Sequence, residues 1–158
     1  MSAELDRHKR VLYAGVGRNI EEHMSHSVMW RHGLDAVPCP SCMSDLFDRQ
    51  YETRHERCWY ENVDILPLPG EPGSPKKSNT CISMEDAISF LASAETVITS
   101  SYHGAYWASL LGREVVLVGH RGKFADPCWK QPWFNLETAR ERAFAAFKKI
   151  VEFAHAIA

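Results

Sequence analysis

Residues 96–119 read TVITSSYHGAYWASLLGREVVLVG, and few folds can accommodate that order. Thr96, Val97, Ile98 and Thr99 are β-branched and favour an extended strand. Ser100, Ser101, Tyr102 and His103 follow as a polar turn. Gly104 opens an alanine-rich helix that runs to Leu111, with Gly112 placed to close it. The apolar run EVVLVG comes next, and a continuous run of this kind fits a parallel strand covered on both faces. Strand, helix and strand in this order form the crossover that parallel strands require.

The flanking segments extend the same pattern. Ser83, with Asp86 three residues on, has the form of a helix N-cap. Met84, Ala87, Ile88, Leu91 and Ala92 then recur at helical spacing and make one apolar face. Asn135 caps a long final helix with Leu136, Ala139, Ala143, Phe147, Ile150 and Ala154 on its apolar side. That helix is apolar enough to dock on its own sheet, and could also meet another lobe or a second copy. The expectation is an α/β fold: a single Rossmann-like three-layer domain over residues 1–158, with a mostly parallel sheet.

Bulk properties narrow the function. The chain has 158 residues, of which 45% are hydrophobic and 24% charged, enough for a core without metal or disulfide staples. A net charge of −2 gives no basic field for nucleic acid. No apolar run approaches the roughly 18 residues of a membrane span. The start, MSAELDRHKR, lacks the apolar core of a secretory signal, so the expected location is the cytoplasm. Five cysteines, an odd number, suit a reducing compartment better than a disulfide framework.

The first half is less regular. RVLYAGVG at 10–17 reads as a short buried strand entering a glycine turn, and 18–30 as a helix capped by Asn19. Gly15 and Gly17 form a G-x-G without the third glycine of a dinucleotide fingerprint, so they read as a tight turn or a ligand-facing loop. Pro38 and Pro40 break the next stretch into a loop and a short turn. CWYENVDILPL reads as a second strand. PLPGEPGSPKKSNT, at 67–80, reads as surface loop.

The strand-to-helix junction carries the chemistry. In a parallel sheet, ligands bind beyond the carboxyl ends of the strands. A helix that starts there turns N–H groups and a positive dipole end toward the ligand. Ser100, Ser101 and Tyr102 add hydroxyls, His103 adds a donor, and Gly104 lets a ligand or neighbouring backbone approach closely. Together they suit a phosphate or a carboxylate. The plainer reading is that a serine caps the helix and His103 is a satisfied structural residue.

ISMEDAISFLASAETVITSSYHGAYWASLLGREVVLVG resembles the C-terminal lobe of the polysaccharide pyruvyl transferase family. The pattern is a helix, a strand ending in VIT, a His-Gly pair, an alanine-rich helix and a second apolar strand. RGKF at 121–124 is similar to a Lys-Phe segment of some members. VPCPSCMSDLFD at 37–48 is similar to a PCxSCM stretch in a bacterial subset. RVLYAGVGRNI resembles the family's WGxGxN turn. The resemblance implies a lobe like the C-terminal half of a GT-B fold. It implies transfer of a pyruvyl group from phosphoenolpyruvate to a sugar hydroxyl, as a ketal, in surface glycan biosynthesis. No cofactor follows from it; the partners are phosphoenolpyruvate or another anionic donor, and a glycan acceptor.

The family's Arg-X-His falls here on Ser101, Tyr102 and His103, so histidine is kept and arginine is not. Serine offers no charged bidentate grip on an anion. Under the resemblance His103 hydrogen-bonds the donor and serves as general acid, and Arg18, Arg121 or Lys123 supplies the charge. Two such lobes need about 250–300 residues, so this chain has room for one. The chain would then be a fragment, one piece of a split enzyme, or a single-lobe binding module without catalysis of its own. A GT-B glycosyltransferase using a nucleotide sugar is the enzymatic alternative.

Cys39, Cys42, His55 and Cys58 form C-x-x-C and H-x-x-C pairs that could hold a tetrahedral zinc. The commoner meaning is small residues in a turn and a strand. A thioredoxin-like redox role would want a helix starting at Cys39, and the sequence has no clear start there. His23, His26 and His32 lack the i, i+4 spacing of a helical zinc pair. Trp129, Trp133 and Phe134 could stack on a sugar, or seat the final helix.

Overall fold

The β-branched run found in the sequence becomes the inner strand of the sheet. The computed structural model describes residues 38–64, 67–81, 83–118 and 135–156. Among these, β1 (His55–Glu61), β2 (Lys76–Ser78), β3 (Ala94–Thr99) and β4 (Glu114–Leu117) form one all-parallel sheet in the order β2-β1-β3-β4. Three α-helices accompany them: α1 (Met84–Ala92), α2 (Tyr102–Leu110) and α3 (Leu136–Ala156). Two 3-10 turns, Pro40–Met43 and Asp45–Asp48, precede β1. The class is α/β with a parallel sheet.

The pleat divides the sheet into two unlike faces. Cys58 pairs in register with Val97, and Val97 with Val115. That row packs under Ala87 and Leu91 of α1 and Ala108 of α2. The alternate row carries Trp59 and Ile98, which meet Leu68 and Val118; no helix residue belongs to that cluster. Parallel strands need such crossovers, and here β2-α1-β3 and β3-α2-β4 supply them.

Local chemistry sets the helix limits. The Ser83 side chain accepts from Asp86 N at 3.1 Å, and Glu85 and Asp86 occupy the first turn of α1. Gly112 sits at φ +69° after α2, a backbone conformation that favours glycine. Asn135 Oδ1 accepts from Thr138 N at 3.3 Å, as a cap of α3.

Helix α2 is buried on two sides. Ala108 faces the sheet, while Tyr106 and Leu110 face a second cluster with Cys42, Leu46, Phe47, Ile88 of α1 and Ala139 of α3. A helix wedged between two layers has no polar stripe to show. The outer layer is built from the 3-10 turns and the start of α3. One side chain ties it together. Arg140 donates from Nε to Cys42 O (2.9 Å), from NH2 to Ser44 O (3.0 Å), and from both terminal nitrogens to Asp48 (2.6 and 2.9 Å). Its guanidinium holds the Asp48 carboxyl below the usual aspartate range.

Four expectations change. β1 starts at His55, not Cys58, and stops at Glu61, because His55 and Arg57 pair with Ala94 and Thr96 of β3 despite their polarity. The stretch 67–80 is not all loop: Lys76, Lys77 and Ser78 pair with Trp59, Tyr60 and Glu61 as β2. β4 is not covered on both faces; its exposure alternates and Val116 is 43% exposed. Helix α3 docks through Leu136, Ala139 and Ala143 on the outer cluster instead of the sheet, and Phe147 is exposed. The strand at 10–17, the helix at 18–30 with its histidines, the Gly15–Gly17 turn and the aromatic residues Trp129, Trp133 and Phe134 lie outside the described residues.

Replacing Arg140 by alanine leaves the Cys42 and Ser44 carbonyls without this donor and unpins α3. The expected loss is about 1–2 kcal/mol of unfolding free energy, measured by urea denaturation.

Candidate functional site

At the carboxyl edge of β3 the chain must stop pairing and start a helix within two residues. Thr99 makes this turn possible. Its side chain is fully buried; Oγ1 donates to Tyr60 O at 2.5 Å and accepts from Ser101 N at 2.9 Å. Ser100 is buried beside it, and its hydroxyl accepts from Asn62 N at 3.0 Å. Ser101 is the N-cap of α2, with its oxygen accepting from Gly104 N at 3.3 Å. The three hydroxyls therefore build the edge from within.

Gly104 serves packing. A Cβ there would lie 2.5 Å from Tyr60 Cδ1 and 2.7 Å from Thr99 Oγ1. The helix start presses onto β1 and β3 at a distance only glycine permits. Of the two approaches the sequence allowed, the observed one is by neighbouring protein atoms.

Tyr102 and His103 remain at the surface, both half-buried in the first turn of α2. The His103 ring meets the Tyr102 ring edge-on (centroids 5.8 Å, 89°) and the Trp107 ring at 5.2 Å. Tyr102 in turn stacks on Tyr106 at 6.5 Å. An imidazole held among aromatic rings, on a helix N-terminus, at the carboxyl edge of a parallel sheet, can donate a hydrogen bond to an anion and can move a proton.

The rest of this edge is polar and ordered. Asn79 N donates to Glu61 O (2.9 Å), Asn79 Nδ2 to Asn62 Oδ1 (3.2 Å), and Val63 N to Asn79 Oδ1 (3.2 Å). Glu61 takes Lys76 Nζ at 2.9 Å and Leu68 N at 2.8 Å, while Lys76 also donates to Leu68 O at 2.6 Å. Lys76, and then the Leu68 N–H, hold the Glu61 carboxyl below the usual glutamate range.

The structure thus brings Ser100, Ser101, Tyr102, His103 and Gly104 together, and adds Tyr60, Glu61, Asn62, Asn79 and Thr99. Sequence reasoning missed Asn62 and Asn79, because each follows a strand whose end it misplaced or did not see. Arg18, Arg121 and Lys123 lie outside the described residues. An open groove lined by Arg54, His55, Arg57 and Glu71 lies at the other end of β1.

The four zinc candidates do not converge. Cys42 and Cys39 belong to the outer cluster, Cys58 is buried under α1 and α2, and His55 is exposed at the start of β1. No group of three or more His, Cys, Asp or Glu among the described residues could hold a metal ion. Burial pushes the Cys58 thiol up to about 12, as suits an inert core residue.

Compared with known proteins, the chain matches no family model, no curated protein and no solved structure.

Two outcomes test this construction. Gly104→Ala is expected to cost about 1–3 kcal/mol by overpacking, seen as a lower melting temperature. Glu61, with its folded pKa below its unfolded value near 4.3, contributes stability that is present above that value and lost as pH falls through the folded pKa. The urea midpoint should therefore fall on acidification from about pH 5 to pH 3, and fall less in Glu61→Gln.

Proposed function

We propose that this chain is the donor-binding lobe of a polysaccharide pyruvyl transferase-like protein, a lobe akin to the C-terminal half of a GT-B fold. The observation that carries the reading is His103: half-buried, in the first turn of α2, at the carboxyl edge of an all-parallel sheet. The donor is phosphoenolpyruvate and the acceptor a sugar hydroxyl of a surface glycan. His103 hydrogen-bonds the donor's anionic end and acts as general acid, with the helix terminus favouring the negative charge. Ser101, at the position of the family's arginine, accepts from Gly104 N through its hydroxyl oxygen and so shapes the turn instead of gripping the donor. The cationic grip falls to Arg18, Arg121 or Lys123. A second lobe binds the acceptor.

Binding is the step to test on this chain, since it needs no acceptor. Phosphoenolpyruvate should raise the melting temperature of the wild type more than a nucleotide sugar does. His103→Ala should weaken phosphoenolpyruvate about tenfold or more, equivalent to about 1.4 kcal/mol. Equal affinity in the variant would sink the histidine's role. A larger shift with the nucleotide sugar would favour a glycosyltransferase lobe.

A further inference from the structure

The C-P-S-C turn has a geometry of its own. Pro40 begins a 3-10 turn with Cys39 as its N-cap residue, and Cys42 N donates to Cys39 O at 3.2 Å. Residues three apart stack over one another in such a turn. Closing it also brings their Cα atoms within about 7 Å, near the reach of a disulfide. Both thiols are free; Cys39 is half-buried and Cys42 fully buried.

Their surroundings make the two sulfurs unequal. Trp107 Nε1 donates to Ser41 Oγ at 3.0 Å, and an indole N–H can only donate. The Ser41 hydroxyl proton is thereby left to Cys39 Sγ, 3.2 Å away. Cys39 is the more exposed of the two sulfurs, and the Ser41 hydroxyl directed at it orients it for attack. Cys42 sits under the turn, where burial pushes its thiol up; Arg140 Nε holds its carbonyl, and the Tyr106 hydroxyl holds that of Cys39.

We propose that Cys39 and Cys42 form a reversible dithiol–disulfide couple that exchanges with a low-molecular-weight disulfide. Cys39 thiolate attacks one sulfur of that disulfide, its S–S bond breaks, and the departing thiolate takes a proton from water. Cys42 then releases its proton to solvent and attacks the Cys39 sulfur, expelling the second thiolate. Two electrons pass from the protein to the small disulfide, which leaves as two thiols. The inference does not depend on the donor site.

The test uses the whole chain in glutathione buffers of graded oxidised-to-reduced ratio, followed by acid quench, alkylation and tryptic mapping. The peptide 32–49 contains Cys39 and Cys42 and no other cysteine. It should convert to a form lighter by two hydrogen atoms in one transition, and revert on reduction. The proposal is overturned if both cysteines are still alkylated at the most oxidising ratio, or if a stable glutathione adduct or a link to another peptide forms instead. Cys42→Ser should accumulate glutathione on Cys39, whereas Cys39→Ser should leave Cys42 unmodified; the reverse pattern would overturn the order of attack. Ser41→Ala, with its melting temperature as a control for folding, should slow the first step several-fold, and an unchanged rate would remove the hydroxyl's role.

Discussion

The structure turns on the contact between Gly104 of α2 and the pair Tyr60–Thr99 beneath it. Thr99 is the last residue of β3, yet its side chain speaks to both neighbours: it donates to the carbonyl of β1 and accepts from the amide that starts the cap of α2. Both partners are buried, so losing either group would leave a polar atom unpaired at a cost of about 1–3 kcal/mol. The sheet edge and the helix start are in effect one unit. Because Gly104 has no Cβ, the helix can sit low enough for Ser101 to cap it and for Ala108 to reach the sheet core.

A second layer holds α2 from above. The 3-10 turns contribute Cys42, Leu46 and Phe47, Arg140 fastens them to α3, and Tyr106 and Trp107 bind their backbone and Ser41. The same two aromatic residues neighbour Tyr102 and His103 on the exposed side of the helix. The candidate histidine and the cysteine turn are therefore buttressed by shared side chains. That sharing explains why a helix of nine residues can be so apolar all round and still present a reactive ring at its beginning.

The region from Ser83 to Leu117 was legible because each level of the sequence agrees with the next. Caps, helical spacing, β-branched runs and closing glycines all point to one path. Upstream, the levels conflict. His55, Glu56 and Arg57 are polar and exposed, and only hydrogen bonding to β3 makes them a strand. Lys76, Lys77 and Ser78 look like loop residues and become β2 because a parallel partner is waiting at Trp59, Tyr60 and Glu61. The site follows the same division. Ser100, Ser101 and His103 were readable as a polar turn after a strand. A serine cap on the helix was readable as well; that Ser100 would be consumed in holding Asn62 was not, since Asn62 lies 38 residues away in sequence. The zinc spacing has a related limit: short spacings fix Cys39 to Cys42 and His55 to Cys58, but the pleat of β1 and the layer of helices separate the two pairs.

Charge is what distinguishes a donor site from a well-made helix cap. Among the described residues, the two lysines of β2 are both engaged, Lys76 with Glu61 and the Leu68 carbonyl, Lys77 with Asp86 and over the Phe90 ring. An anion at the start of α2 would therefore meet helix amides, His103 and the amides and carbonyls of the asparagine-rich ledge before it met an uncommitted cation among the described residues. Helix termini are worth about 0.3–1 kcal/mol toward a charge at an exposed position, too little to hold a dianion alone. The remainder has to come from imidazolium at His103 or from an arginine or lysine brought over the edge. Ser101 cannot stand in for either, because it carries no charge and its hydroxyl oxygen already accepts from Gly104 N. With serine at position 101, the electrostatic requirement falls elsewhere in the chain.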